Sequence, residues 1–431
     1  MNPAIVGLGA VLAVVVQGLV LAASRLRAPG LDGARAVGRR LTPTEPLRIV
    51  LAVVAGLMSY AIGLRLIDPT AIVYGGNDLA AHAAWAAELE LVPFHPTQPH
   101  FGLHLLARSI QVLGVSGGER AVVLSVGLLT AAGAYLLYGL LGDLASPRPR
   151  SVWLAVATSV VMVGESPYVF VQRPSEIGRG AGYLTLHLWA TPTNAVLLPM
   201  AVLLLPRLLA ATEAPLSRRR GAVLGTLVAV AMVAKPAVPL VLVPAALVLV
   251  ARHLPDWARV RARGLAILVW GVLPMALVAI WQLRFLAGLA ADRDGGVRLA
   301  PLEGMRTGGM LRPVAWLALL LPLALLLAAG GRWWRDRTVV FGAAALVVGV
   351  LQFGLLGETG YREDHANWGI SAYVGYLVLT VAALGAVLQR IAGSDVDAAR
   401  RARWVLGGAA LLCGVAGLVA FVDSTAFVGS L

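Results

Sequence analysis

The segment YGGNDLAAH places an acidic residue and a histidine four positions apart, directly after a long apolar run. Asp78 follows two glycines at the predicted start of a helix, and His82 comes about one turn later on the same helix face. A carboxylate at a partly dehydrated membrane surface has a raised pKa and suits a general base. The spacing therefore favours Asp78 as the base that deprotonates a hydroxyl, with His82 orienting it or holding a cation. Helix N-capping by Asp78 is the alternative.

Histidines are concentrated in the same region. His82, His95, His100 and His104 are four of the chain's seven histidines. His100 and His104 have the i, i+4 spacing that puts two imidazoles on one helix face, although neither HExxH nor a cysteine partner accompanies them. A divalent cation is the one cofactor that this pattern leaves open. The alternative is that these histidines bind loop groups or a sugar.

Two more segments carry groups suited to an anion. HLWATPTN contains His187 and Trp189, and then Thr193 and Asn194 at a predicted helix start, where free backbone N–H groups favour a phosphate. Ordinary helix capping is the alternative for this segment. Lys235 is the only lysine in the chain, and it lies between two apolar stretches where an unpaired ammonium is costly.

The segment GETGYREDHANWG, residues 357–369, is a polar interruption between two apolar runs. Arg362 offers a planar guanidinium which, together with the Lys235 ammonium, suits a phosphate ester. Structural pairing of Arg362 with its acidic neighbours is the alternative.

Long apolar stretches must position these groups. The chain is 59% hydrophobic and 13% charged, and its apolar runs do not alternate with polar residues, which predicts an all-α polytopic membrane protein rather than a barrel. About twelve transmembrane helices are expected in a single domain. They are predicted near 4–23, 48–66, 118–141, 151–165, 190–210, 221–234, 236–251, 265–283, 313–329, 338–356, 368–389 and 404–422.

The net charge of +13 follows the predicted topology. The six loops on one side hold 23 arginines against 8 acidic residues, which makes that side cytoplasmic by the positive-inside rule and places both termini outside. Membrane lipids, not nucleic acid, are therefore the expected partners of the basic residues. The single cysteine, Cys413, excludes an internal disulfide.

The first loop on the other side, residues 67–117, is predicted to form short interfacial helices. DLAAHAAWAAELELV spaces Leu79, Ala83, Ala86 and Leu89 along one helix face, and FGLHLLARSIQVLGV begins a second amphipathic stretch after a proline-rich break.

The pattern resembles the GT-C superfamily, a group of membrane glycosyltransferases that use polyprenyl-phosphate sugars. More specifically, the chain resembles multi-span bacterial proteins of polysaccharide assembly in four motifs that occur in the same order: GNDLAAH, HLWATPTN, AKP and ETGYREDHANWG. The resemblance covers most of residues 48–390, a catalytic core followed by a C-terminal span in 391–431. It implies transfer of a sugar from a polyprenyl-phosphate donor to a glycan, lipid or protein acceptor at the extracytoplasmic face of the bacterial cytoplasmic membrane.

The resemblance also implies a role for each site residue. Asp78 would act as the base with His82 beside it, and Lys235 and Arg362 would hold the donor phosphate. Thr193 and Asn194 would add to the phosphate site. The substrate pocket would be lined by His100, His104, His187, Trp189, Glu358, His365, Asn367 and Trp368.

The chain departs from the GT-C pattern in three ways. It has no Asp-x-Asp or paired acids after the second span, it reads Ala-Thr-Pro-Thr where His-Asn-Pro-Thr is common, and it is not expected to carry the large soluble C-terminal domain of many GT-C enzymes. Because of these departures, the resemblance does not specify whether the reaction depends on a metal ion or which type of acceptor receives the sugar. A lipid or polysaccharide transporter, an oligosaccharide ligase and an accessory subunit are the alternative functions.

Overall fold

The computed structural model describes residues 46–66, 76–91, 94–95, 101–162, 192–252, 256–289, 295–307, 317–331, 333–360 and 368–429. Within these residues the chain is almost entirely helical, as the sequence predicts. The helices are α1 (Pro46–Leu66), α2 (Gly76–Glu88), α3 (Gly102–Val112), α4 (Gly118–Leu144), α5 (Ser151–Met162), α6 (Leu197–Glu213), α7 (Arg218–Ala234), α8 (Ala237–Ala251), α9 (Trp257–Ile267), α10 (Leu273–Leu289), α11 (Glu303–Thr307), α12 (Leu320–Ala329), α13 (Arg337–Leu355), α14 (Gly369–Ala392) and α15 (Val396–Gly429).

Several of these helices are long and apolar enough to cross a membrane. In the described residues, five meet both conditions: Gly118–Leu144, Asn194–Glu213, Val260–Arg284, Arg337–Leu355 and Gly369–Ala392. Four more apolar helices are shorter: Pro46–Ala61, Ser151–Met162, Ala237–Ala251 and Leu317–Ala329. The first predicted span, 4–23, lies outside the described residues, and each of the other predicted spans overlaps a helix. The all-α multi-pass class is thus supported, whereas the count of about twelve spans stays a prediction.

Glycines allow α13 and α14 to approach closely. A Cβ added at Gly349 would lie 2.2 Å from the Ser371 carbonyl oxygen, and one at Gly375 would lie 2.4 Å from the Leu346 Cα. Such small residues let helix backbones pack together in membranes, where van der Waals contact replaces the hydrophobic effect as the driving force. The α13–α14 pair makes the most extensive contact between helices in the fold.

Contacts between helix termini define two ends of the bundle. Arg337 at the start of α13 pairs with Glu213 at the end of α6, and its guanidinium also donates to Thr212 Oγ1 at 2.8 Å. Gln389 near the end of α14 donates to the Ser146 carbonyl. These termini carry the arginine-rich loops, so we refer to this end as the arginine-rich end. The opposite end, where α7 stops, is termed the Lys235 end.

The two predicted interfacial helices are confirmed as helices. Leu79, Ala83 and Ala86 on α2 and Leu89, the residue directly after it, are all buried, as their spacing in the sequence predicts. The buried side of α3 consists of Leu103, His104, Ala107 and Ile110. Together with the first half of α4, these two helices enclose a second, smaller hydrophobic core beside the main one. Their location at a membrane interface stays a prediction.

Two short antiparallel ribbons were not predicted. Strand β1 (Glu90–Leu91) pairs with β2 (Phe94–His95). Strand β3 (Gly295–Leu299) pairs with β4 (Leu356–Gly360) over five residue pairs, from Gly295 opposite Gly360 to Leu299 opposite Leu356. The second ribbon joins the loop after α10 to the start of the polar segment 357–369.

Candidate functional site

Lys235 occupies a break between two helices. Proline at 236 disfavours a helical conformation in the preceding residue, and Lys235 accordingly has extended backbone angles, φ −159° and ψ 92°. Its backbone N–H still donates to the Ala231 carbonyl, and its own carbonyl accepts from Val238, so the break is tight. The Lys235 side chain is 8% exposed. The predicted turn at this proline is confirmed.

Glutamine side chains replace the helix hydrogen bonds that prolines remove. Pro236 has no N–H to donate to the Met232 carbonyl four residues earlier, and Gln282 on α10 supplies the donor at 2.9 Å. In the same way Gln352 on α13 donates at 2.7 Å to the Leu240 carbonyl, four residues before Pro244. The end of α7 that presents Lys235 is therefore held by a side chain from a neighbouring helix.

The start of α3 packs directly against the end of α7. A Cβ added at Gly102 would lie 2.8 Å from both the Cα and the Cβ of Ala234, so only glycine permits this approach. Phe101, the residue before α3, makes an edge-to-face contact with Trp281 on α10, with ring centroids 6.0 Å apart. These contacts place α3 over the helix break that carries Lys235.

Two histidines, one on α2 and one on α3, contact each other in this region. Nδ1 of His82 on α2 lies 2.7 Å from Nε2 of His104 on α3, a hydrogen-bond distance, and the two rings are stacked with centroids 5.0 Å apart. The Trp85 ring stands at right angles to both, at 5.1 Å from His82 and 5.7 Å from His104. His82 is 7% exposed and His104 1%. We refer to His82, Trp85, His104 and Lys235 as the histidine–lysine cluster.

Burial keeps both histidines neutral. Desolvation, followed by the charges of His104 and Lys235, lowers the pKa of His82 from 6.5 to about 3. Desolvation lowers the pKa of His104 to about 4. The Lys235 charge thus acts on the His82 imidazole, although it contributes less to the lowered pKa than desolvation and His104 do. At neutral pH each ring thus has one N–H and one lone pair, and one ring donates to the other.

The geometry of the pair is that of a hydrogen bond rather than of a shared metal ion. Two imidazole nitrogens bound to one tetrahedral zinc would be about 3.3 Å apart, given Zn–N bonds of about 2.0–2.1 Å. The observed 2.7 Å is shorter, and no group of three or more potential ligands occurs among the described residues. His100, which the sequence pairs with His104, lies outside the described residues.

Other predicted site residues are described only in part. Asp78 is in the first turn of α2, Thr193 is in a 3₁₀ turn (Pro192–Val196) that leads into α6, and Glu358 is in β4, but only their backbones are described. The backbone confirms that Asp78 and His82 share a helix. Outside the described residues lie His100, His187, Trp189, Arg362, His365 and Asn367.

Asn194 and Trp368 are described with their side chains. Asn194 belongs to the 3₁₀ turn before α6, and this turn contacts both α2 and α3, so it lies beside the two helices of the histidine–lysine cluster. Trp368 lies next to the small core of Met305, Phe353 and Ala372, below the β3–β4 ribbon.

Among the predicted site residues, His104 and Trp368 each carry a buried polar atom that has no hydrogen-bond partner within the described part of the chain. These are Nδ1 of His104 and Nε1 of Trp368. Leaving such a group without a partner costs about 1–3 kcal/mol, so native proteins rarely do so without a reason. Both atoms are therefore candidates for contact with a bound polar molecule.

The chain matches no protein-family model, and no curated protein is significantly similar to it in sequence.

Sequence reasoning missed two residues that shape the site. The amphipathic pattern of DLAAHAAWAAELELV does not single out Trp85, although a tryptophan three residues after His82 lies on the same helix face. Gln282 was not singled out, because nothing local indicates that a glutamine on a distant helix would replace the hydrogen bond lost at Pro236.

Proposed function

We propose that the protein is a GT-C-type membrane glycosyltransferase that transfers a sugar from a polyprenyl-phosphate donor to a hydroxyl of a glycan, lipid or protein acceptor. The site would lie at the Lys235 end, on the extracytoplasmic side of the bacterial cytoplasmic membrane. The arginine-rich end would face the cytoplasm, in agreement with the positive-inside rule.

One observation carries this proposal: the start of α3 packs against the end of α7, and the charge of Lys235 there acts on His82, which is hydrogen-bonded to His104 on α3. A buried lysine, 8% exposed, whose charge acts on the neutral His82 imidazole favours a ligand that brings negative charge and hydrogen-bonding groups together. A sugar phosphate attached to a lipid has both. Asp78 precedes His82 by one turn on the same helix, which supports a base close to this ligand.

The proposed reaction is an in-line displacement at the anomeric carbon. The acceptor oxygen forms a bond to that carbon while its proton passes to Asp78, and the bond from the carbon to the phosphate oxygen breaks. The departing polyprenyl phosphate keeps the electron pair, and the charges of Lys235 and Arg362 stabilise it. A positioned base contributes about 10²- to 10⁴-fold to the rate. His82 would position the carboxylate or the sugar by hydrogen bonding, since its low pKa disfavours a proton-carrying role.

The test uses purified full-length protein in lipid nanodiscs with synthetic prenyl-phosphate monosaccharides, one sugar at a time. Transfer or hydrolysis of at least one donor is expected. Asp78→Asn should abolish turnover but keep donor binding, whereas Lys235→Gln and Arg362→Ala should weaken donor binding itself.

Matched controls come from the same end of the fold. Glu88→Gln removes a carboxylate from the exposed end of α2, and Arg284→Gln removes an exposed cation from α10. Both control variants should behave as wild type. The assignment would be wrong if Asp78→Asn kept full turnover, or if the control variants lost activity to the same degree as the site variants.

A further inference from the structure

An open depression of about 630 Å³ lies at the Lys235 end, apart from the histidine–lysine cluster. Residues 298–303 and Arg306 line it, so it is formed by the end of β3 and the short helix α11. Arg298 donates to Glu303 at 2.6 Å. Arg306 is exposed and has no ion-pair partner among the described residues. With two arginines and one glutamate, the depression carries a net positive charge.

An exposed apolar stripe leads to this depression. Val347, Leu351 and Leu355 follow one another at four-residue spacing along α13, and each is between 43% and 57% exposed. The Leu355 carbonyl accepts a hydrogen bond from the Ala300 N–H, at 2.8 Å, so the stripe ends where the lining of the depression begins. A hydrocarbon chain lying along this stripe would bring its head group to the two arginines.

Leu302 also indicates a contact outside the chain. Its φ is +63°, a left-handed conformation that is unfavourable for a leucine, and its side chain is 54% exposed. Neither the backbone conformation nor burial within the protein favours leucine at this position. Leu299, at 74% exposure, lies beside it in the same lining. Contact with hydrocarbon chains would bury both side chains.

We infer that this depression binds the phosphate of an anionic membrane lipid, with Arg298 and Arg306 on the phosphate and the lipid tail along Val347, Leu351 and Leu355. Arginine suits this role because its guanidinium donates two parallel hydrogen bonds to phosphate oxygens. The Glu303 carboxylate opposes the binding by neutralising part of the Arg298 charge. The site does not depend on the transferase reaction, since it requires only that α13 faces lipid.

The test measures lipid retained on the full-length protein by native mass spectrometry, with phosphatidylglycerol and phosphatidylcholine of identical acyl chains. Phosphatidylglycerol should be retained in preference to phosphatidylcholine. Arg306→Gln should lower its retention about fivefold, the scale of a partly exposed charge-assisted hydrogen bond. The control Arg284→Gln makes the same charge change on the exposed end of α10 and should have no comparable effect.

Two variants give effects that a purely structural role would not produce. Glu303→Gln removes the opposing carboxylate and should raise phosphatidylglycerol retention. Leu302→Gly relieves the left-handed strain, so it should raise Tm while lowering retention of the lipid.

Three results would overturn the inference. Equal losses in Arg306→Gln and Arg284→Gln would indicate a general charge effect. Equal retention of the two lipids by the wild-type protein would exclude recognition of the anionic head group. Displacement of phosphatidylglycerol by millimolar inorganic phosphate would identify a site for free phosphate instead of a lipid.

Discussion

The buried histidine pair makes the stability of the fold depend on pH. Well above pH 6.5, His82 and His104 are neutral in both the folded and the unfolded chain, so they give no pH dependence there. As the pH falls below 6.5, the unfolded chain takes up protons that the folded protein excludes, because the folded pKa values are about 3 and about 4. The free energy of unfolding should therefore decrease as the pH is lowered through this range.

The size of the effect follows from the two pKa shifts. At pH 5, an unfolded histidine with a pKa of 6.5 is almost fully protonated, whereas each folded histidine of the pair is almost fully neutral. This difference lowers the free energy of unfolding by about 2 kcal/mol per histidine relative to pH 7, or about 4 kcal/mol for the pair. Most of the decrease should occur between pH 6.5 and pH 4.

The assay is unfolding of the purified protein in detergent, followed by circular dichroism at several pH values. The comparison variant is His82→Asn with His104→Gln, because the Asn amide replaces Nδ1 of His82 and the Gln amide replaces Nε2 of His104. This double variant should be less stable at pH 7 but should lose about 4 kcal/mol less between pH 7 and pH 5. Parallel pH profiles for the two proteins would refute the neutral, hydrogen-bonded pair.

Three further predictions concern the supports of the site. Lys235→Gln should raise the pKa of His82, because it removes one of the charges that lower it; NMR titration of the labelled imidazole measures this shift. Gly102→Ala should lower the free energy of unfolding by about 1–3 kcal/mol, because the added methyl group forces α3 away from α7. The control Gly407→Ala lies in open space on α15 and should leave the free energy of unfolding unchanged or raise it slightly. Thermal unfolding of both variants measures the difference. Gln282→Leu should lower the free energy of unfolding by about 1–3 kcal/mol, because it leaves a buried carbonyl without its donor. A Gln282→Leu variant as stable as wild type would show that this hydrogen bond is dispensable.

Much of the local structure could be predicted because its causes lie within a few residues. The buried positions on α2 and directly after it follow from the period of the helix, and they are correct at Leu79, Ala83, Ala86 and Leu89. The break at Lys235 follows from the proline after it, which restricts the backbone of the preceding residue. The identity of the base, the phosphate ligands and the substrate stay predictions.

The contacts that build the candidate site could not be predicted in the same way. His82 and His104 are 22 residues apart, and their hydrogen bond depends on how two short helices pack on α4 and on how α3 meets α7. The pairing of β3 with β4 joins segments about sixty residues apart in the sequence, and neither segment has the alternating pattern of a strand.

The sequence by itself determined that this is an apolar, all-helical chain whose arginines gather in alternate loops, because helix period, apolar length and charge distribution are local or additive properties. Only the tertiary structure decided that Gln282 replaces the hydrogen bond lost at Pro236, that Gly102 admits α3 to the end of α7, and that His82 and His104 form a buried, neutral, hydrogen-bonded pair. These outcomes depend on side-chain packing and desolvation between distant segments, and such terms arise only once the helices are assembled.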